Sequence, residues 1–284
     1  MENVRALVLT GFGINCEEET QAAFTLSGAE AEIVHLKDIF SEEKSIFDYD
    51  IIAFPGGFSF GDDLGAGRVL ANLLRYRKLP SGKLFFDQLH EYLDKGKYIL
   101  GICNGFQTLV SLGLLPGLDL QFEQEISLFG NDSGKFEDRW VRCKIKDGPA
   151  NKILGRSRVI DLPIRHAEGK LVVKDPEVAR EIIQKGLICM EYCDKGGVST
   201  DEYPQNPNGS FMNCAGLCNT TGQVIGMMPH PEAFLSIYNH PAWGQILHNN
   251  PEYPQDGEGL QLFMNMVQFL KKRKVEWSKE PSLV

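Results

Sequence analysis

The sequence predicts an α/β protein with a mostly parallel central sheet, helices on both faces and a strand-rich second half. Three observations carry that reading. Up to Gly113, short apolar runs alternate with segments of helical spacing, the pattern of βα units that cover a parallel sheet on both faces. Within that half, runs such as "YDIIAFPGG" and "YILGIC" are apolar throughout and end at glycine, proline or a turn. Beyond residue 138 the chain breaks into short strand-like pieces separated by Gly, Asn and Pro.

Each element follows in order. "VRALVLT" (4–10) reads as a buried strand. "EEETQAAFTLSG" (17–28) reads as a helix, with acids in its first turn and Gly28 near its end. "AEIVHL" (31–36) and "YDIIAFPGG" (49–57) are strand-like, the latter stopped by Pro-Gly-Gly. "GRVLANLLRY" and "KLFFDQLHEYLDKGK" carry helical spacing. "YILGIC" (98–103) is a strand, and a helix follows from about Gly105 to Gly113. "RWVRCKIK", "SRVIDLPIRHAEGKLVV", "GLICMEYC" and "QVIGMMPH" either extend the sheet or form an antiparallel flank. Segments 199–210 and 248–259 read as loops. The closing "LQLFMNMVQFLKKRK" is an amphipathic helix with Leu260, Phe263, Val267 and Leu270 on one face.

Composition narrows the function. The chain has 284 residues, 43% of them hydrophobic, enough for a real core, and no repeat or linker divides it, so 1–284 reads as a single domain. A formal net charge of −9 and no basic stripe disfavour nucleic acid. "KKRK" at 271–274 sits where cations favour a helix C-terminus. The start lacks the apolar core of a signal peptide and no stretch is long enough to span a bilayer. Seven scattered cysteines, an odd number, read as reduced thiols, so a cytoplasmic protein with no membrane partner is expected.

One cysteine stands apart. Gly101-Ile102-Cys103-Asn104-Gly105 joins a strand end to a helix start, the G-x-nucleophile-x-G pattern of a nucleophile elbow. The turn exposes its central residue above the sheet, small neighbours avoid clashes, and the helix N-terminus favours a thiolate. The plainer alternative is a buried cysteine in a glycine-rich βα turn. A cysteine nucleophile needs a base. His230-Pro231-Glu232 follows the run 224–228, and in an extended segment residues two apart face the same way. Glu232 would then orient His230 and stabilise its imidazolium. "AFPGGFSFGDD" supplies a Gly-Gly loop after a strand, so the N–H groups of Gly57 and Asn104 are the candidate oxyanion donors.

With those residues in place, the chain resembles the class I, triad-type glutamine amidotransferases through "GICNGFQ", "MMPHPE" and "PGGFSFGDDLGAG". More narrowly it resembles the glutaminase subunit of phosphoribosylformylglycinamidine synthase, with "TGFGINCEEET", "GLLPG", "RWV", "PIRHAEG" and "NPNGS" matching in family order along nearly the whole chain. The resemblance implies a flavodoxin-like fold and glutamine hydrolysis to glutamate and ammonia through a Cys103 thioester, with His230 and Glu232 completing the triad. It makes Gln107, in the G-x-C-x-G-x-Q pattern, a substrate-binding candidate. It also implies a synthetase partner, with a small accessory subunit, that uses the ammonia to convert formylglycinamide ribonucleotide to formylglycinamidine ribonucleotide in purine biosynthesis. ATP and magnesium are expected in that partner and no cofactor in this chain, which lacks a P-loop motif. Another triad amidotransferase, or a cysteine hydrolase of γ-glutamyl substrates, is the alternative.

Other residues compete. Cys189/Cys193 and Cys214/Cys218 are C-x3-C pairs, but along a strand their thiols would sit about 13 Å apart, so buried thiols are favoured over a metal. Cys16 and Cys143 show no partner and read as structural or incidental. His166 and Glu168 repeat the H-x-E spacing, and His166 is placed at an entrance or subunit interface. Asp62 and Asp63 read as solvated loop acids, with orientation of the loop or contact with the synthetase as the functional alternatives.

Overall fold

The computed structural model describes residues 3–118 and 123–277, so the extremes of the 1–284 unit lie outside the described residues. The first half alternates as its pattern requires. β1 (Arg5–Thr10), α1 (Glu17–Leu26), β2 (Glu30–His35) and a short α2 (Leu36–Phe40) come first. β3 (Ile51–Phe54), α3 (Arg68–Tyr76), α4 (Phe85–Asp94), β4 (Tyr98–Ile102) and α5 (Asn104–Ser111) follow. Every residue of β3 and β4 is buried, as a strand covered on both faces demands.

The second half contains β5 (Ser127–Gly130), β6 (Glu137–Ile145), α6 (Asn151–Leu154), β7 (Val159–His166) and β8 (Glu168–Val172). α7 (Pro176–Gln184), β9 (Ile188–Tyr192), β10 (Cys214–Cys218), β11 (Val224–Met227), α8 (Trp243–Asn249) and α9 (Glu258–Trp277) complete it. The stripe Leu260, Phe263, Val267 and Leu270 on α9 is buried. It packs against α1, with Phe24 and Phe263 edge to face at 5.0 Å. The cationic end of α9 stays on its own protein: Lys274 pairs with Asp50 at 2.9 Å and Arg273 donates to the Tyr98 hydroxyl.

The two readings of the second half merge into one sheet of order β2-β1-β3-β4-β11-β10-β9-β6-β7. Neighbours from β2 to β11 are parallel. Those from β11 to β7 are antiparallel. β5 and β8 form a separate pair. A flat sheet would hold β7 about 24 Å from β4, five strand spacings away. Instead the Arg165 carbonyl of β7 lies 3.6 Å from the Cys103 sulfur at the end of β4. The antiparallel flank therefore curls back over the carboxyl ends of the parallel strands.

α7 was not foreseen, although its start is written in the sequence: Asp175 accepts from Glu177 N at 2.8 Å and Pro176 opens the first turn. The loop expected at 248–259 is shortened at both ends by α8 and α9. No helix among the described residues is long and apolar enough to cross a membrane.

Candidate active site

Cys103 sits between β4 and α5 with φ 51° and ψ −106°, a conformation that costs a non-glycine residue about 1–3 kcal/mol. The surroundings enforce it. Its N–H donates to Met227 O of β11 at 2.8 Å. The flanking glycines serve close approach rather than unusual φ. A Cβ on Gly105 would lie 1.9 Å from the Phe54 carbonyl oxygen, and one on Gly101 would lie 2.6 Å from Leu109 Cδ1. The sulfur is buried and lies 3.6 Å from the Arg165 carbonyl oxygen.

β11 lies parallel to β4, with Met227 opposite Ile102, so the chain leaves the sheet beside the elbow. The extended geometry expected for His230 and Glu232 is not what pairs them. Pro231–Ala233 is a single 3-10 turn, with the proline in its first position. That turn brings Glu232 Oε1 to 2.6 Å from His230 Nδ1. The His230 N–H donates to Pro163 O of β7 at 2.8 Å, which fixes the backbone of the turn. Both side chains are buried. Among the described residues Nε2 has no hydrogen-bond partner, and it is the ring nitrogen left to exchange a proton with the sulfur. Burial disfavours the imidazolium, but Glu232 and the Cys103 and Cys16 sulfurs outweigh it and hold the His230 pKa above its usual value.

The oxyanion candidates are unpaired donors. Asn15 N and Phe58 N bond to Gly56 O and Gly13 O at 3.2 and 2.9 Å. These bonds bracket the Ile14–Gly57 pair, making it the pair whose own N–H groups point away from one another. The Gly57 N–H is thus left free of that pairing, at φ +145°. Asn104 N–H belongs to the first turn of α5, which has no internal acceptor. Among the described residues neither N–H finds a partner.

The Asn104 side chain ties this loop to the helix. Its Oδ1 accepts from Ser59 N at 3.2 Å, and its Nδ2 donates to Asp62 at 3.0 Å and to Gln107 Oε1 at 3.1 Å. Asp62 is therefore not a solvated loop acid; Asp63 is exposed. Burial raises the Asp62 pKa against the bonds from Asn104 and Gly67. Gln107, expected at the substrate, has both ends of its amide engaged inside the protein, since Nε2 donates to Glu168 O. In this geometry it clamps Asn104.

The rival pair is separated. His166 Nδ1 lies 3.0 Å from Asn131 Oδ1, while the Glu168 carboxylate accepts from Ala66 N at 3.2 Å. His166 is buried, not at an entrance or surface. Burial, with His230 nearby, lowers its pKa to about 3. The C-x3-C cysteines are buried, and the contact that forms runs between Cys189 and Cys218 on adjacent strands, not within either pair. Cys16, read as structural or incidental, is the residue that its sequence setting did not mark. One donor atom each from Cys16, His230 and Glu232 lies within 4.8 Å of the others. No local signal marks Cys16, because the contact depends on a loop packing beside the Pro-Gly-Gly turn.

Comparison with known proteins gives the family. Residues 3–270 match the CobB/CobQ-like glutamine amidotransferase domain. The chain is 39% identical over 277 residues to the phosphoribosylformylglycinamidine synthase subunit PurQ of Methanococcus maripaludis, covering 94% of this chain and 98% of that one. It is 37% identical over 272 residues to the PurQ subunit of Dehalococcoides mccartyi, covering 96% of this chain and 100% of that one. Among solved structures, a chain of PurLQS from Thermotoga maritima superposes with a TM-score of 0.66 at 28% identity, over 95% of this chain and 100% of that one. With a family match over residues 3–270 and 37–39% identity across nearly the whole of these relatives, the chain belongs to the CobB/CobQ-like glutamine amidotransferases and, within them, to the PurQ subunits.

Proposed function

We propose that this chain is the glutaminase subunit of phosphoribosylformylglycinamidine synthase, with Cys103, His230 and Glu232 as its triad. The observation that carries the assignment is the elbow cysteine at φ 51° beside a histidine whose Nδ1 is 2.6 Å from a buried carboxylate. In the reaction the Cys103 thiolate attacks the side-chain carboxamide carbon of glutamine. The oxygen takes up negative charge against the Gly57 and Asn104 N–H groups, each donor worth roughly 3–4 kcal/mol to the transition state. His230, as imidazolium, protonates the leaving nitrogen, and ammonia departs from a glutamyl thioester. His230 then takes a proton from water, which attacks the thioester, and glutamate leaves with the Cys103 thiolate and the His230 imidazolium restored.

The ammonia is passed to a synthetase subunit, assisted by a small accessory subunit, which makes formylglycinamidine ribonucleotide from formylglycinamide ribonucleotide in the cytoplasm. ATP and magnesium act in that subunit. The composition of the PurLQS complex supports this partnership. The test is reconstitution with the synthetase. Cys103→Ala abolishes glutamine-dependent synthesis while free ammonia still supports it. Full glutaminase activity in that variant overturns the nucleophile assignment.

A further inference from the structure

A third donor stands beside the His230–Glu232 pair. Cys16 immediately precedes α1, and its sulfur reaches the imidazole because Gly56 has no side chain. A Cβ on Gly56 would lie 3.2 Å from Cys16 Sγ and 2.7 Å from His230 Cε1. The donor atoms of Cys16, His230 and Glu232 fall within 4.8 Å of one another. A tetrahedral zinc ion sets sulfur, nitrogen and oxygen donors roughly 3.4–3.6 Å apart. Modest movement therefore completes the site: Glu232 Oε1 backs away from Nδ1, now at 2.6 Å, and the sulfur closes in. Glu232 Oε2 is buried with no hydrogen-bond partner among the described residues, so the carboxylate has an oxygen to offer. Thiolate, imidazole and carboxylate together suit zinc rather than magnesium or calcium.

We propose that Cys16, His230 and Glu232 bind a thiophilic divalent cation, zinc by donor set, and that its binding silences glutamine hydrolysis. The silencing rests on the role given to His230 above. Starting from the imidazolium, the ion replaces two protons, one from the Cys16 thiol and one from Nδ1, and both go to solvent. A water molecule fills the fourth position. The ring is then a neutral imidazole bound through Nδ1 and protonated at Nε2. Accepting a proton from Cys103 or from water needs a free Nε2 lone pair, and none remains. Glu232, now on the metal, no longer stabilises an imidazolium.

The test titrates the full chain, stripped of metal by a chelator, with cobalt(II) alone. One cobalt per chain binds, with a thiolate-to-cobalt charge-transfer band that zinc abolishes. Cys16→Ala, run beside the isosteric Cys16→Ser and checked for a native thermal melt, loses the band and binds at least about tenfold more weakly. Cys103→Ala keeps the band. No band in the wild type, or a band lost in Cys103→Ala and kept in both Cys16 variants, overturns the site. Zinc at site-filling concentration stops ammonia release from glutamine; undiminished release overturns the silencing. Ammonia release is read in the complex reconstituted with the synthetase; no release there even without metal strikes the proposed reaction, and the silencing with it, while the cobalt result still decides the site.

Discussion

The buried His166 makes acid sensitivity the sharpest consequence of this fold. An unfolded histidine titrates near pH 6.5, whereas burial beside His230 lowers the folded pKa of His166 to about 3. Between those values the unfolded chain binds a proton that the folded chain refuses, so stability falls as pH drops through 6.5 and continues to fall toward 3. Integrating that window, the loss from this one group is about 2 kcal/mol between pH 7.5 and pH 5. His166→Gln removes the titration and keeps an amide able to meet Asn131. Urea unfolding of both proteins across that range isolates the group, because the other titrations are common to the pair. The variant is less stable at pH 7.5, and the gap narrows by about 2 kcal/mol at pH 5. A gap that stays constant within about 0.5 kcal/mol would refute the reasoning, since it means that His166 protonates alike in both states.

Other expectations follow from the same geometry. Gly105→Ala places a Cβ 1.9 Å from the rigid Phe54 carbonyl, so denaturant unfolding shows a loss of about 3 kcal/mol or more, or no folded protein. Glu232→Gln keeps the shape of the turn but not the charge that raises the His230 pKa, so kcat falls by at least about 100-fold with little change in KM. Asp62→Ala frees the Asn104 side chain from one of its anchors, and kcat/KM falls by about tenfold while the thermal melt moves little. An unchanged kcat/KM there would show that the Asn104 peptide is held without the loop.

The parts legible in the sequence are those that local physics dictates. Alternating apolar runs and helix caps announced the parallel half, and Gly101 and Gly105 announced a turn too crowded for side chains. The candidate triad needed only residue type and spacing, although its Glu232 arrives through a 3-10 turn rather than an extended strand. What stayed hidden depends on distant packing. Cys16 reaches His230 only because the segment before α1 pairs with the Pro-Gly-Gly loop. Gln107 changes from a substrate candidate to an internal clamp because Glu168, 61 positions later, returns its carbonyl to the site. α7 carries a local signal of its own: Asp175-Pro176 ahead of Ile182 is a helix start.

Pro163 shows how the edge of a sheet can belong to a candidate active site. Proline has no N–H for a ladder, so a strand that contains it in mid-run belongs at an edge. β7 is that edge, the last strand of the nine. In an antiparallel edge strand, carbonyls two residues apart point to the same side. Pro163 O and Arg165 O therefore both face off the open edge. The curl of the sheet then brings them to the N–H of His230 and the thiol of Cys103. A slip of one residue in the pairing of β6 and β7 would turn both carbonyls into the ladder and every side chain of the strand to the opposite face. Trp140 opposite Pro163 resists that slip, because its ring is wedged edge-on against Phe234 at 4.9 Å and His240 at 4.7 Å. The register that packs an aromatic cluster on one side of the flank is thus the register that presents two carbonyls to Cys103 and His230.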